Sequence, residues 1–95
     1  MSKPSIVQPE KACYVTGATY GLDLHHCIHG SHRRKADQLG LTVWLRHDVH
    51  MALHDHRKPF ENLDWELKQA AQRAYERDHS REEWMAIFGR SWLDE

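Results

Sequence analysis

The residues able to do chemistry in this chain are mostly histidines: nine among 95 positions, eight of them from His25 to His56. His50 and His54 are four apart, so on a helix their imidazoles share one face about 6 Å apart, a spacing suited to chelating one divalent ion. His25 and His26 are adjacent, and a strand would turn them to opposite faces. One could then bind while the other acts. A strand histidine packed on the helix would supply a third ligand, and an unligated imidazole, with an ordinary pKa of about 6.5, could take a proton from water. Three histidine ligands leave coordination positions open to water and substrate, as in a catalytic rather than a closed structural site. His29, His32, His47 and His56 are expected to face solvent or phosphate, and His79 to lie on the surface. Cys13 and Cys27 are too few for a disulfide framework and are expected as thiols, Cys27 as a buried one.

Positioning those histidines takes two strands and a helix. Residues 20–28 alternate Leu22, Leu24, His26 and Ile28 with Asp23, His25 and Cys27, which predicts a short strand ended by Gly30. The polar, basic stretch 30–40 is expected as a connecting loop closed by glycine. Residues 41–45, Leu-Thr-Val-Trp-Leu, predict a second strand that pairs with the first as a long-looped hairpin. Val49, Leu53 and the histidine pair recur at spacings of four, predicting a helix over 47–56. Pro59 cannot continue it, and Asn62 is the expected N-cap of a helix over 63–78, with an apolar stripe of Leu63, Leu67, Ala70, Ala71, Ala74 and Tyr75. Ser80 and Glu83 have capping-box spacing and open a third helix that stops at Gly89. Trp44, Trp65, Trp84 and Trp92 are expected in the core of so small a domain.

Composition bounds what these elements can build. A chain of 95 residues and 11.2 kDa makes one small domain and excludes a multidomain enzyme. With 40% hydrophobic and 28% charged residues it reads as globular, and no apolar run approaches the roughly 20 residues of a bilayer span. The N-terminal residues have no signal-peptide pattern, so a cytoplasmic location is expected. Net charge is -1, but residues 1–58 carry eight Lys/Arg against five Asp/Glu, and residues 60–95 carry five against nine. A polyanion would therefore meet the histidine-rich first half, where Arg33, Arg34 and Lys35 could grip DNA phosphates without sequence choice.

Asp23-Leu24-His25-His26, a connecting stretch and strand, and then His50-x-x-x-His54 resemble the ββα-metal motif of HNH nucleases, at the interval found in nuclease-type bacterial toxins of that superfamily. The likeness covers about a third of the chain, residues 22–54. It implies His25, His50 and His54 as ligands of one divalent ion (Mg²⁺, Mn²⁺, Ni²⁺ or Zn²⁺), with His26 activating the attacking water and Asp23 helping to position the site. Gly30 with the Arg-Arg-Lys run, Val43-Trp44-Leu45, residues 67–72 and residues 88–93 are similar to short phage and prophage HNH-like, recombination-associated nucleases. Two features depart from the pattern. The central asparagine of HNH sites falls at Leu41 or Thr42, and the paired Cys-x-x-Cys knuckles of many relatives are missing.

The combined expectation is an α+β protein: a flexible arm over 1–12, a small ββα-metal (His-Me finger) unit over 13–58, and C-terminal helices over 59–95 packed on it. Its expected activity is metal-dependent hydrolysis of DNA phosphodiester bonds, in phage recombination or DNA processing. The alternative is a non-catalytic module in which metal staples a small core that sits on DNA or a partner protein.

Overall fold

The two segments with strand-like alternation do pair. A computed structural model of the chain describes residues 4–93, in which β1 (Leu22–His26) and β2 (Thr42–Arg46) form an antiparallel sheet with His25 opposite Val43 and Asp23 opposite Leu45. Around this sheet stand four α-helices: α1 (Arg33–Leu39), α2 (His47–His54), α3 (Leu63–Glu76) and α4 (Arg81–Phe88). The protein is thus a small α+β fold. No described helix is long and apolar enough to cross a membrane.

The stretch between the strands is not a loop. A 3-10 turn (Gly30–His32) leads directly into α1, whose Arg-Arg-Lys-Ala-Asp-Gln-Leu run consists largely of good helix formers and buries Ala36. Gly40 closes α1 in the left-handed conformation (φ 74°), its N–H returning to the carbonyls of Ala36 and Asp37. Polarity hid this helix, because about two turns with one buried face residue leave no apolar period to read.

The expectation of a loose arm also needs correction over residues 4–12. The Ile6 N–H donates to Gly40 O (2.9 Å), the Ser5 hydroxyl to Thr42 O, and the Trp44 N–H to Gln8 Oε1 (2.8 Å), while Ile6 and Val7 pack on the core. Further on, the Tyr14 N–H donates to Trp44 O (2.8 Å). These contacts cover the outer edge of β2, satisfying main-chain groups that an exposed edge strand would leave unpaired.

One core joins the layers: Val43 and Leu45 from β2, Val49 and Leu53 from α2, Leu67 and Ala71 from α3, and Trp84, Phe88 and Trp92 from the C-terminal region. Of the four tryptophans, Trp84 and Trp92 are buried and Trp44 partly so, whereas Trp65 is 43% exposed on α3, against expectation. Ser80 and Glu83 form the capping box of α4, but Asn62 precedes α3 without a side-chain cap bond. Gln72, wholly buried, accepts from the Trp92 N–H (2.7 Å) and donates to Ser91 Oγ (2.9 Å), fastening the C-terminal segment to α3.

Gly40 and Gly89 share the left-handed conformation, but only at Gly40 would an added Cβ overlap the arm, at the Pro4 carbonyl oxygen. Gly89→Ala is expected to cost about 1–2 kcal/mol of backbone strain. Gly40→Ala should lose about 1–3 kcal/mol more, because the arm must move off β2. Equal losses in denaturant melts of the two variants would show that the arm adds nothing to the sheet.

Candidate metal centre

Alternation along β1 puts Asp23 and His25 on one face, and that face, not the leucine face, lies beneath α2: Leu24 is 37% exposed and His25 is 2% exposed. Val49 and Leu53 root α2 in the core, which holds His50 and His54, one position further along each turn, over β1. Ring centroids lie 5.3 Å apart for His25 and His50, 6.1 Å for His25 and His54, and 4.7 Å for His50 and His54. One ligand atom from each of these three residues falls within 4.8 Å of the others, so the structure brings the predicted triad together as a group that could hold a metal.

The donor set fits a divalent ion on two observations. His25 Nε2 is fully buried with no hydrogen-bond partner among the described residues, although a buried polar nitrogen ordinarily has one. The Nε2 atoms of His50 and His54 face each other at 3.0 Å. Two nitrogens on one ion at about 2.0–2.1 Å would stand about 3.0–3.4 Å apart, so little movement separates this arrangement from a chelate.

Electrostatics prepare the same groups. Burial, and then the neighbouring His29 and His50 rings, push His25 down to about 3, so it is neutral with its lone pair available. Asp23 Oδ2 accepts from Nδ1 of His50 (2.9 Å) and Nδ1 of His47 (2.7 Å), and these bonds, His50 first, hold its carboxyl below the usual range. With Nδ1 committed to Asp23, His50 turns Nε2 toward His25 and His54. Asp23 thus fixes the orientation of His50, a potential ligand. Cys27 lies wholly in the core, where burial pushes its thiol up to about 12, unlike a metal-binding thiolate; Cys13 is likewise a buried free thiol.

His26 faces away from the triad. Its Nε2 pairs with Asp37 Oδ1 of α1 at 2.9 Å. It lines two adjoining clefts, one with Gly30, Ser31, Arg33, Arg34 and Asp37, the other with Leu24, His25, His29, Arg33, His50 and His54. Lys35 is exposed on α1 and lines neither cleft.

Four polar residues at the site escaped sequence reasoning. Asp37 is hidden in the unforeseen helix α1. His47, expected to face solvent or phosphate, also bonds Asp23. His29, with the same expectation, lies beside His25 (centroids 5.1 Å) and bonds Asp64 Oδ1 through Nε2 at 2.7 Å. Asp64, in the first turn of α3, also accepts from Lys68; these two bonds outweigh burial, which pushes the other way, and hold its carboxyl well below the usual range. Only tertiary packing joins Asp64 to His29, 35 residues earlier. His56 is exposed and His79 stacks on Tyr75 at the surface, as expected, whereas His32 is half-buried against Phe88.

Comparison of the chain with protein-family models, curated proteins and solved structures finds no match in any of the three.

One divalent ion is expected to raise the melting temperature with the logarithm of its free concentration. His50→Ala or His54→Ala should abolish that rise, and Asp23→Asn should weaken affinity about 10- to 100-fold. An unchanged melting temperature in excess Zn²⁺ or Ni²⁺, with no metal by elemental analysis, would overturn this. In chelator, the folded chain resists protonating His25 below the ordinary 6.5, whereas the unfolded chain does not. Stability should therefore fall with pH below 6.5, by roughly 1.4 kcal/mol per unit, until pH nears the folded value of about 3. His25→Asn should flatten that slope in chemical denaturation measured at several pH values; an unaltered slope would contradict the burial argument.

Proposed function

We propose that the chain is a metal-dependent endonuclease of HNH type, in which β1, β2 and α2 form a ββα-metal unit that hydrolyses DNA phosphodiester bonds. The observation that carries this reading is the clustering of His25, His50 and His54 beside a cleft that holds a separate imidazole, His26, and a guanidinium, Arg33. A divalent ion held by the three histidines would polarise the phosphate and stabilise charge on the leaving oxygen.

The chain's own groups supply the remainder. His26, with Nε2 occupied by Asp37, offers Nδ1 as the acceptor for a proton of the attacking water. As the water oxygen bonds phosphorus, the phosphorus–oxygen bond to the leaving group breaks and the proton passes to His26. Asp37 steadies the resulting imidazolium. Arg33 and Arg34 hold a neighbouring phosphate, which gives affinity without base choice; Lys35, further along α1, adds to the field felt by the strand.

The non-catalytic reading draws on Leu41 and Thr42, one of which stands where HNH sites carry their asparagine; both are buried. Supercoiled plasmid incubated with Mg²⁺, Mn²⁺, Ni²⁺ or Zn²⁺, against a chelator control, separates the two: cleavage that needs metal supports the enzyme, and its absence with every ion supports the metal-stapled binding module.

His26→Ala is expected to keep its metal, fold and DNA affinity while losing about 10²- to 10⁴-fold in cleavage rate. Loss of the metal in that variant would make His26 a ligand and overturn the division of roles. Neutralising Arg33, Arg34 and Lys35 together should weaken binding to unrelated sequences alike and flatten its salt dependence. A wild-type salt slope in the triple variant would place the DNA surface elsewhere.

A further inference from the structure

His25 belongs to two groups of potential ligands. One is the triad with His50 and His54; the other is His25, His29 and Asp64, whose ligand atoms also fall within 4.8 Å of one another. Within each group the two partners of His25 lie within hydrogen-bonding distance of each other: His50 Nε2 and His54 Nε2 at 3.0 Å, and His29 Nε2 and Asp64 Oδ1 at 2.7 Å. His25 is common to both groups, and its Nε2 is buried without a hydrogen-bond partner among the described residues. The rings of His29 and His54, one from each group, stand 6.4 Å apart between centroids and line one cleft with His25 and His50, so the two pairs flank one small space.

We propose that His29 and Asp64 join the three-histidine centre, giving a six-coordinate ion a carboxylate oxygen and a further imidazole from the α3 side and leaving one position for water or phosphate. The inference rests on the reading of His25, His50 and His54 as metal ligands and extends it to the choice of ion. Imidazole alone suits Zn²⁺, Ni²⁺ and Cu²⁺, whereas a carboxylate oxygen improves the site for harder ions such as Mn²⁺. Asp64 should therefore matter more for Mn²⁺ than for Ni²⁺. Asp64 belongs to α3 and His25 to β1, so an ion bound to both would tie the C-terminal helices to the sheet and transmit metal binding into the stability of the whole chain.

The alternative is a structural ion pair, His29–Asp64–Lys68, with no part in metal binding. Mn²⁺ and Ni²⁺ affinities, measured by calorimetry on the full chain, distinguish the two with wild type, His29→Ala, Asp64→Asn, Lys68→Met and His50→Ala. His29→Ala and Asp64→Asn are each expected to weaken Mn²⁺ binding by about 10- to 100-fold, with a smaller effect of Asp64→Asn on Ni²⁺. Lys68→Met, which breaks the ion pair without removing a ligand, should leave both affinities intact. His29 is exposed, so His29→Ala tests the proposal even where Asp64→Asn disturbs the start of α3. The visible spectrum of the Co²⁺-loaded protein should also change in His29→Ala, a signature that losing a surface ion pair does not produce. Wild-type affinities and spectrum in His29→Ala, alongside loss of binding in His50→Ala, would overturn this inference and leave the three-histidine centre standing. A wild-type chain that binds no divalent ion would overturn both.

Discussion

A buried imidazole with one nitrogen unanswered is the constraint on which this small structure turns. An unsatisfied buried polar atom costs about 1–3 kcal/mol, against a total stability of about 5–15 kcal/mol for an ordinary domain. A hydrophobe at position 25 would avoid that cost, since its neighbours across the sheet and along β2 are Val43 and Leu45, both fully buried. Instead the fold surrounds His25 with three further imidazoles. The register of β1 on β2 fixes which face His25 occupies, because a slip of one residue would turn it outward and bring His26 in.

The rest of the chain makes that register costly to change. Residues 4–14 seal the outer edge of β2. α2 begins directly after β2 and is held by Val49 and Leu53, so its histidines cannot shift without breaking the core. α3 and α4 back the core, and Gln72 and the Trp84 indole, which donates to Arg90 O (2.9 Å), close the C-terminal segment over them. In so few residues the site and the core are almost contiguous: His25 lies two positions from Cys27, and His54 directly follows Leu53.

What could be read from the sequence follows from how local each signal is. The pairing of His50 with His54, the capping box at Ser80 and the stop at Gly89 are set within a single turn or two, and all stand in the structure. The strand segments were legible from composition, but the face of β1 was not. The alternation sets Leu22 and Leu24 against Asp23 and His25 without saying which set faces inward, and α2 covers the side that carries Asp23 and His25. Only the position of α2 decides between them. α1 escaped because it sets only Ala36 and a partly buried Leu39 on the core, and the arm because its contacts with β2 are made through main-chain groups and the side chains of Ser5 and Gln8. His29 with Asp64, and His26 with Asp37, are tertiary pairings for which no spacing rule exists.

Three carboxylates reach the histidines around His25 and its clefts from three elements: Asp23 of β1 to His50, Asp37 of α1 to His26, and Asp64 of α3 to His29. Each occupies one ring nitrogen and thereby chooses what the other does. The pairings also set the local field. Asp23 and Asp64, both held below the usual carboxylate range, are ionised at neutral pH, and Lys68 offsets only one of them. These two carboxylates oppose a phosphate beside the histidines, whereas the guanidiniums of Arg33 and Arg34 line the adjoining cleft. Two positive charges placed among the imidazoles would reverse the sign on the histidine side, so that one phosphodiester could be attracted from both directions at once. On the proposed reading, metal and nucleic acid are then thermodynamically linked: each strengthens the other's binding, because the carboxylates that favour the ion repel phosphate in its absence.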